Sequence, residues 1–109
     1  MNDLALMREE RDGARLILRL SGEIDLSNVE HLHDAIKLAV PGSSLVVIDL
    51  AEVEYIDSQG LRLLKRLSSA LALDGVRLQV LAPPKSIARD VLDLTRMSDE
   101  IEVCDTLEG

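Results

Sequence analysis

The sequence predicts a small mixed α/β domain, in which an N-terminal β-hairpin leads into strand–helix units that pair in parallel, with the helices mainly on one face. Three observations predict it. Asp12-Gly13 joins two extended candidates as a tight hairpin turn would. Leu45-Val46-Val47-Ile48 is an unbroken apolar run, rich in β-branched residues and too short for a helix, so it reads as a buried strand. Beyond it Leu61, Leu64, Leu67 and Leu71 recur at the spacing that lines one face of a helix. Strands joined through helices pair in parallel, whereas a hairpin pairs antiparallel, so the sheet is mixed.

Taken in order, residues 4–10 and 15–21 are the first two strands. Leu16, Leu18 and Leu20 share one face of the second, with Ile17 and Arg19 on the other. The polar Arg8-Glu9-Glu10-Arg11 marks the first as an edge strand. Ser21-Gly22-Glu23-Ile24-Asp25 then closes this part of the sheet and turns the chain. Ser27 is a candidate N-cap, and Glu30 three residues on completes a capping-box pattern. Val29, Leu32, Ile36 and Ala39 follow at helical spacing until Pro41-Gly42 stops the helix. The central strand, 45–49, is followed by a short acidic connection, and Asp57-Ser58-Gln59-Gly60 opens the next helix. Asp57 or Ser58 occupies its N-cap, because a short side-chain oxygen there accepts orphan backbone N–H bonds. Asp74-Gly75 ends that helix, and 76–81 is another strand. Pro83-Pro84 introduces a third helix with Ile87, Val91 and Leu94 facing inward. Ile101-Glu102-Val103 adds a short strand or packs against the end of the domain. No repeat, low-complexity tract or linker interrupts this order, so residues 1–109 read as one domain.

Composition narrows the function. The chain is 47% hydrophobic but 1% aromatic, so Leu, Val and Ile must build the core. Tyr55 is the only aromatic residue, which argues against base stacking on single-stranded nucleic acid. Twelve bases against twenty acids, a net charge of −8, argue against a polyphosphate partner, and no nucleic acid is expected to bind. The acidity suits either a basic protein surface or simple solubility. Residues 85–109 hold seven acids against three bases, a solvated acidic end. Cys104 stands alone, so there is no internal disulfide and no paired-thiol metal site, and the residue reads as a small hydrophobe. No metal and no cofactor are expected. No basic-then-apolar leader opens the sequence and no apolar run nears the ~20 residues that span a bilayer. The expectation is a cytoplasmic protein without direct membrane insertion.

The parts of an enzyme are missing. There is no Gly-rich phosphate cradle, no Gly-x-Ser-x-Gly elbow and no His-Glu-x-x-His. His31 and His33 are two apart, do not face each other on a helix, and read as surface residues. Asp49 ends an apolar strand as the acceptor of a receiver domain does. A receiver also needs an acidic pair after its first strand, which this hairpin lacks, so Asp49 reads as a cap on the following turn. Ser58 remains. It sits at the positive end of a helix beside an acid, either as a plain cap worth about 1 kcal/mol or as a place for a reversible charge.

Leu45-Val46-Val47-Ile48-Asp49-Leu50 followed by Tyr55-Ile56-Asp57-Ser58-Gln59-Gly60-Leu61 resembles the signature of the STAS domain, as found in anti-sigma-factor antagonists. Leu20-Ser21-Gly22-Glu23-Ile24-Asp25 resembles that family's Gly-Glu-Leu/Ile-Asp strand end. Val80-Leu81-Ala82-Pro83-Pro84 and Val91-Leu92-Asp93-Leu94 resemble its C-terminal third. Gln59 departs from the usual Ser, Thr or Ala and leaves the acceptor in place. The resemblance implies a bacterial partner switch. Ser58 is phosphorylated by a partner that is both serine kinase and anti-sigma factor, the unphosphorylated form binds that partner and frees a sigma factor, and a serine phosphatase resets the system. By the same resemblance Asp57, Gln59 and Gly60 belong to the partner-binding turn, with Asp25 close by at the end of the second strand. Arg62, Lys65 and Arg66 group on the outer face of the Ser58 helix, either as part of the docking surface or as a solvated basic face. STAS domains also serve as accessory subunits of ABC-type transporters and as scaffold pieces of stress-sensing assemblies. A short free-standing chain with an intact Asp-Ser-x-Gly favours the switch.

Overall fold

The computed structural model describes residues 6–107. Two strands, β1 (Leu6–Asp12) and β2 (Arg15–Ile24), form the hairpin around Gly13, whose φ of 64° is the left-handed conformation that a tight two-residue turn demands. The chain continues through α1 (Val29–Ala39), β3 (Leu45–Ile56), α2 (Ser58–Leu73), β4 (Arg77–Leu81), α3 (Ile87–Leu94), a 3₁₀ turn at Met97–Asp99, and a short β5 (Val103–Cys104). The five strands lie side by side in sequence order. Among the described residues only the β1–β2 pair is antiparallel. Each crossover therefore steps in the same direction, and right-handed crossovers of one direction place their helices on one side of the sheet.

That side holds the main core. Leu16, Leu18 and Leu20 of β2 and Val46, Ile48 and Leu50 of β3 are buried with Leu32 and Ile36 of α1 and Leu64, Leu67 and Leu71 of α2. The opposite face has a smaller cluster, Ile17, Val47 and Leu81, with Leu45, Cys104 and Leu107 packed against it. Val46, Val47 and Ile48 are thus buried on alternating faces of one strand, which is why that stretch is continuously apolar.

Several elements differ from the sequence expectation. β1 runs to Asp12 rather than ending at residue 10, and residues 4 and 5 of the expected strand lie outside the described residues. The acidic connection after residue 49 is strand. β2 continues to Ile24 and carries β3 with it to Ile56, through register shifts between Arg19 and Ser21 and between Gly22 and Glu23. These irregularities break the two-residue period, so Val53 and Ile56 are buried while Glu52, Glu54 and Tyr55 face solvent. In α3 the inward residues are Ala88 and Leu92, with Val91 partly buried beside them. Ile87 is 50% exposed and Leu94 84%. Ser86 caps this helix by accepting from Arg89 N at 3.1 Å, and the i, i+3, i+4 set that then faces the sheet is 88, 91 and 92. The last strand is Val103–Cys104, parallel to β4, with Ile101 buried in the core before it. Cys104 is half-buried. Burial, then the nearby Glu102, Asp105 and Asp49 carboxylates, push its thiol pKa up, so it is a poor nucleophile.

Glu102 clips β5 to β4. Its carboxylate accepts from Arg77 Nε at 2.8 Å, from the other guanidinium arm, and from Gln79 Nε2 at 2.8 Å. The hydrogen bond from Arg77, then that from Gln79, hold this carboxyl below the usual Glu range. A depressed carboxyl pKa stabilises the fold above the unfolded value, about 4.3, and that contribution is lost as pH falls through the lower folded value. The urea midpoint of the wild type is therefore expected to fall more steeply below about pH 4.3 than that of Glu102→Gln. Parallel acid limbs would remove this clip from the account.

Candidate functional site

β2 and β3 end together, with Ile24 paired to Ile56, and Asp57 N donates to Ile24 O at 3.2 Å before the chain enters α2. Asp57 is the N-cap. Its Oδ1 accepts from Gln59 N at 2.9 Å and Gly60 N at 3.1 Å, while its backbone carbonyl accepts from Leu61 N. Of the two cap candidates in the sequence, Asp57 has the role and Ser58 becomes the first helical residue. Among the described residues nothing bonds the Ser58 hydroxyl, and the side chain is exposed. It stands at the positive end of a 16-residue helix with no acid in its first turn. Removing the cap with Asp57→Ala should cost about 1 kcal/mol in urea unfolding, with Asp57→Asn retaining most of it. Equal stability of Asp57→Ala and wild type would contradict the assignment.

Gly60 fixes how closely this turn sits on the strand ends. A Cβ there would lie 2.6 Å from Ile56 Cγ1 and 3.0 Å from Ile24 Cγ2, so the first turn of α2 rests directly on the two isoleucines that end β2 and β3. Gln59 beside it is half-buried.

Asp25 follows Ile24 as Asp57 follows Ile56, so the two acids lie side by side at the carboxyl ends of adjacent parallel strands. Asp25 Oδ1 accepts from Ser27 N at 2.9 Å and from Ser27 Oγ at 2.5 Å. Ser27 is therefore not the cap of α1, as the capping-box pattern predicted. Asn28 precedes the helix instead, 5% exposed, and its side chain reaches backwards. Nδ2 donates to Glu23 O at 2.8 Å and Oδ1 accepts from Asp25 N at 3.1 Å. These bonds hold residues 23–28 as one rigid corner beside Ser58. Sequence reasoning passed over Asn28, although an Asn directly before the first periodic residue, Val29, is itself a helix-start signal. It also passed over Leu26, 72% exposed in this corner, which joins the 49% exposed Tyr55 as apolar surface at the same end of the sheet.

Arg62, Lys65 and Arg66 are all exposed on α2 and line a shallow groove with His33, Ser69 and Leu73. They are not equivalent. Lys65 Nζ lies 2.6 Å from Glu100 Oε1, and Arg66 Nη1 lies 3.2 Å from Glu30 Oε2. Glu30, expected in a capping box, thus serves α2 instead. Arg62 has no ion pair or hydrogen bond from its side chain among the described residues. His31 is exposed, whereas His33 is partly buried with Nδ1 3.6 Å from Asp34. Asp49 lies inside β3 rather than before a turn. It accepts from Ala51 N at 2.9 Å and pairs with Arg19 Nε at 3.4 Å. Among the described residues no group of three His, Cys, Asp or Glu is placed to hold a metal ion, and no helix is long and apolar enough to cross a membrane.

The STAS domain family model matches residues 5–109. Among solved structures the chain is similar to an anti-sigma factor antagonist from Mycobacterium paratuberculosis, at 26% identity and a TM-score of 0.74 over 94% of this chain and 87% of that one. It is similar in fold to the anti-sigma factor antagonist SpoIIAA in its unphosphorylated form, at 20% identity and a TM-score of 0.72 over 91% and 88% of the two chains. An antisigma-factor antagonist STAS domain from Rhodobacter sphaeroides matches in fold at 22% identity and a TM-score of 0.63, over 73% of this chain and 88% of that one. With a sequential mixed sheet, an Asp-Ser-Gln-Gly turn at the head of the second helix and a family match that omits only four residues, this chain belongs to the STAS domain family.

Proposed function

We propose that this protein is an anti-sigma factor antagonist whose binding to its partner is switched by phosphorylation of Ser58. One observation carries the reading: Asp57 takes the cap, which leaves the Ser58 hydroxyl exposed and unengaged at the positive end of α2. The partner is an anti-sigma factor with serine kinase activity. The kinase transfers the γ-phosphoryl group of ATP to Ser58 Oγ, the hydroxyl proton is lost and ADP leaves; a serine phosphatase hydrolyses the ester and resets the chain. The similarity to an antagonist from Mycobacterium paratuberculosis supports the partner class.

The docking surface comprises the Ser58 turn with Asp25, Asp57, Gln59 and Gly60, continued along α2 by Arg62, Lys65 and Arg66. A phosphate of about −1.5 to −2 charge is stabilised where it sits on the helix N-terminus but opposes any partner built to meet a neutral hydroxyl. Affinity recovery from the native host, with wild type, Ser58→Ala and Ser58→Asp side by side, tests the proposal. A kinase-like ATPase held by wild type and Ser58→Ala and lost with Ser58→Asp is the expected result. Recovery of one transport ATPase by all three would make Ser58 a structural residue and the chain a transporter subunit.

A further inference from the structure

We infer that Arg62 is the built-in counter-ion of phosphorylated Ser58, so that phosphorylation both adds a charge to the docking surface and withdraws its one uncommitted cation. The inference rests on Ser58 being the phosphorylation site. It starts from an asymmetry in α2. Lys65 and Arg66 are held by Glu100 and Glu30, whereas Arg62, also exposed, has no ion pair among the described residues. Arg62 is also the residue that lies one turn from Ser58 on the same side of the helix, at i+4 and roughly 6 Å along the axis. Lys65 and Arg66 lie two turns away, about 10–12 Å along the axis, beyond direct contact.

The geometry is the favourable one of the two possible orders. An acid at i with a base at i+4 is more stabilising than the reverse, and because helical side chains tend to lean toward the N-terminus, the Arg62 guanidinium is within reach of a phosphate at position 58. A planar guanidinium can also meet two phosphate oxygens at once. Asp57 in the turn and Asp25 at the end of the adjacent strand disfavour the phosphate, and Glu30 of α1 is already paired with Arg66. Of the three cations on α2, Arg62 is therefore the one placed a single turn from Ser58 and free to offset those two carboxylates. In the unphosphorylated chain the same guanidinium is free to meet an acidic group of the partner. Once position 58 carries a dianion, it has a competing occupant on its own helix.

The test uses the full chain with phosphoserine installed at position 58 during translation, followed by ³¹P NMR titration of the phosphate. A nearby cation favours the dianion, so its removal raises the second phosphate pKa. Arg62→Gln is expected to raise it by about 0.3 unit relative to the unsubstituted phosphoprotein. Arg62→Lys should restore part of the shift, and Arg66→Gln should change it by less than about 0.1 unit. An unmoved titration in Arg62→Gln, or an equal shift in Arg66→Gln, overturns the inference. Because no kinase is used, this result is independent of whether a partner phosphorylates the chain; absence of such a partner would defeat the proposed function and leave the ion pair measured.

Discussion

If the proposed switch holds, phosphate on Ser58 is expected to weaken binding to the proposed kinase partner at least tenfold while leaving the fold as stable as before. The two halves of this prediction come from the same position. At the head of α2 the phosphate meets the positive end of the helix, worth roughly 0.3–1 kcal/mol, offset by the neighbouring Asp57 and Asp25 carboxylates. The cap does not depend on Ser58, because Asp57 already satisfies Gln59 N and Gly60 N. Stability should thus change by less than about 1 kcal/mol in either direction. At an interface the balance differs. A like charge about 4 Å away costs about 4 kcal/mol at an effective dielectric of about 20, and about 1.4 kcal/mol is already a factor of ten in affinity. Calorimetric titration of the partner with both forms, alongside their urea unfolding curves, measures the two halves together. A phosphorylated chain that binds as tightly as the free one, or one that loses several kcal/mol of stability, would contradict the switch.

Gly60→Ala is expected to destabilise the protein by about 1–3 kcal/mol, against the usual direction of a glycine-to-alanine change in a helix. Helix propensity alone favours alanine by up to about 1 kcal/mol. Here the added Cβ would stand 2.6 Å from Ile56 Cγ1. That carbon is the branch next to the backbone of a side chain buried at 5% exposure, so it cannot swing aside as the tip of a long side chain would. The clash must be relieved by lifting the first turn of α2 off the strand ends, which also displaces Ser58. A double-mutant cycle isolates the cause: in an Ile56→Ala background the cost of Gly60→Ala should shrink or change sign. A neutral or stabilising Gly60→Ala in the wild-type background would show that the isoleucines yield freely and that Gly60 has no packing role.

The parts of this fold legible in the sequence are those where one physical requirement acts alone. The run Leu45-Val46-Val47-Ile48 must be apolar because Val46, Val47 and Ile48 are buried on alternating faces of a central strand and Leu45 packs partly buried beside them, and the α2 stripe of Leu61, Leu64, Leu67 and Leu71 has no competing phase. The failures lie where two readings satisfy the same pattern. In α3, Ile87 and Leu94 are as apolar as Val91 and Leu92, so composition does not choose the inward face; the Ser86 cap and contact with the sheet do. Asp57 and Ser58 both suit an N-cap, and hydrogen bonds to Gln59 N and Gly60 N decide for Asp57. Ser27 fits a capping box until Asp25 takes its hydroxyl and Asn28 ties the corner to Glu23. The difference among the three basic residues of α2 depends on Glu30 and Glu100, each more than thirty residues away, and no local pattern reports it.

The central claim is that Ser58 itself accepts the phosphate. Incubation of the whole chain with the recovered kinase partner and Mg²⁺–ATP, followed by mass-spectrometric mapping of the modified residue, tests it directly. The account predicts one phosphate per chain, on Ser58, and none on Ser58→Ala. Phosphate on another residue, or equal incorporation into Ser58→Ala, would contradict it.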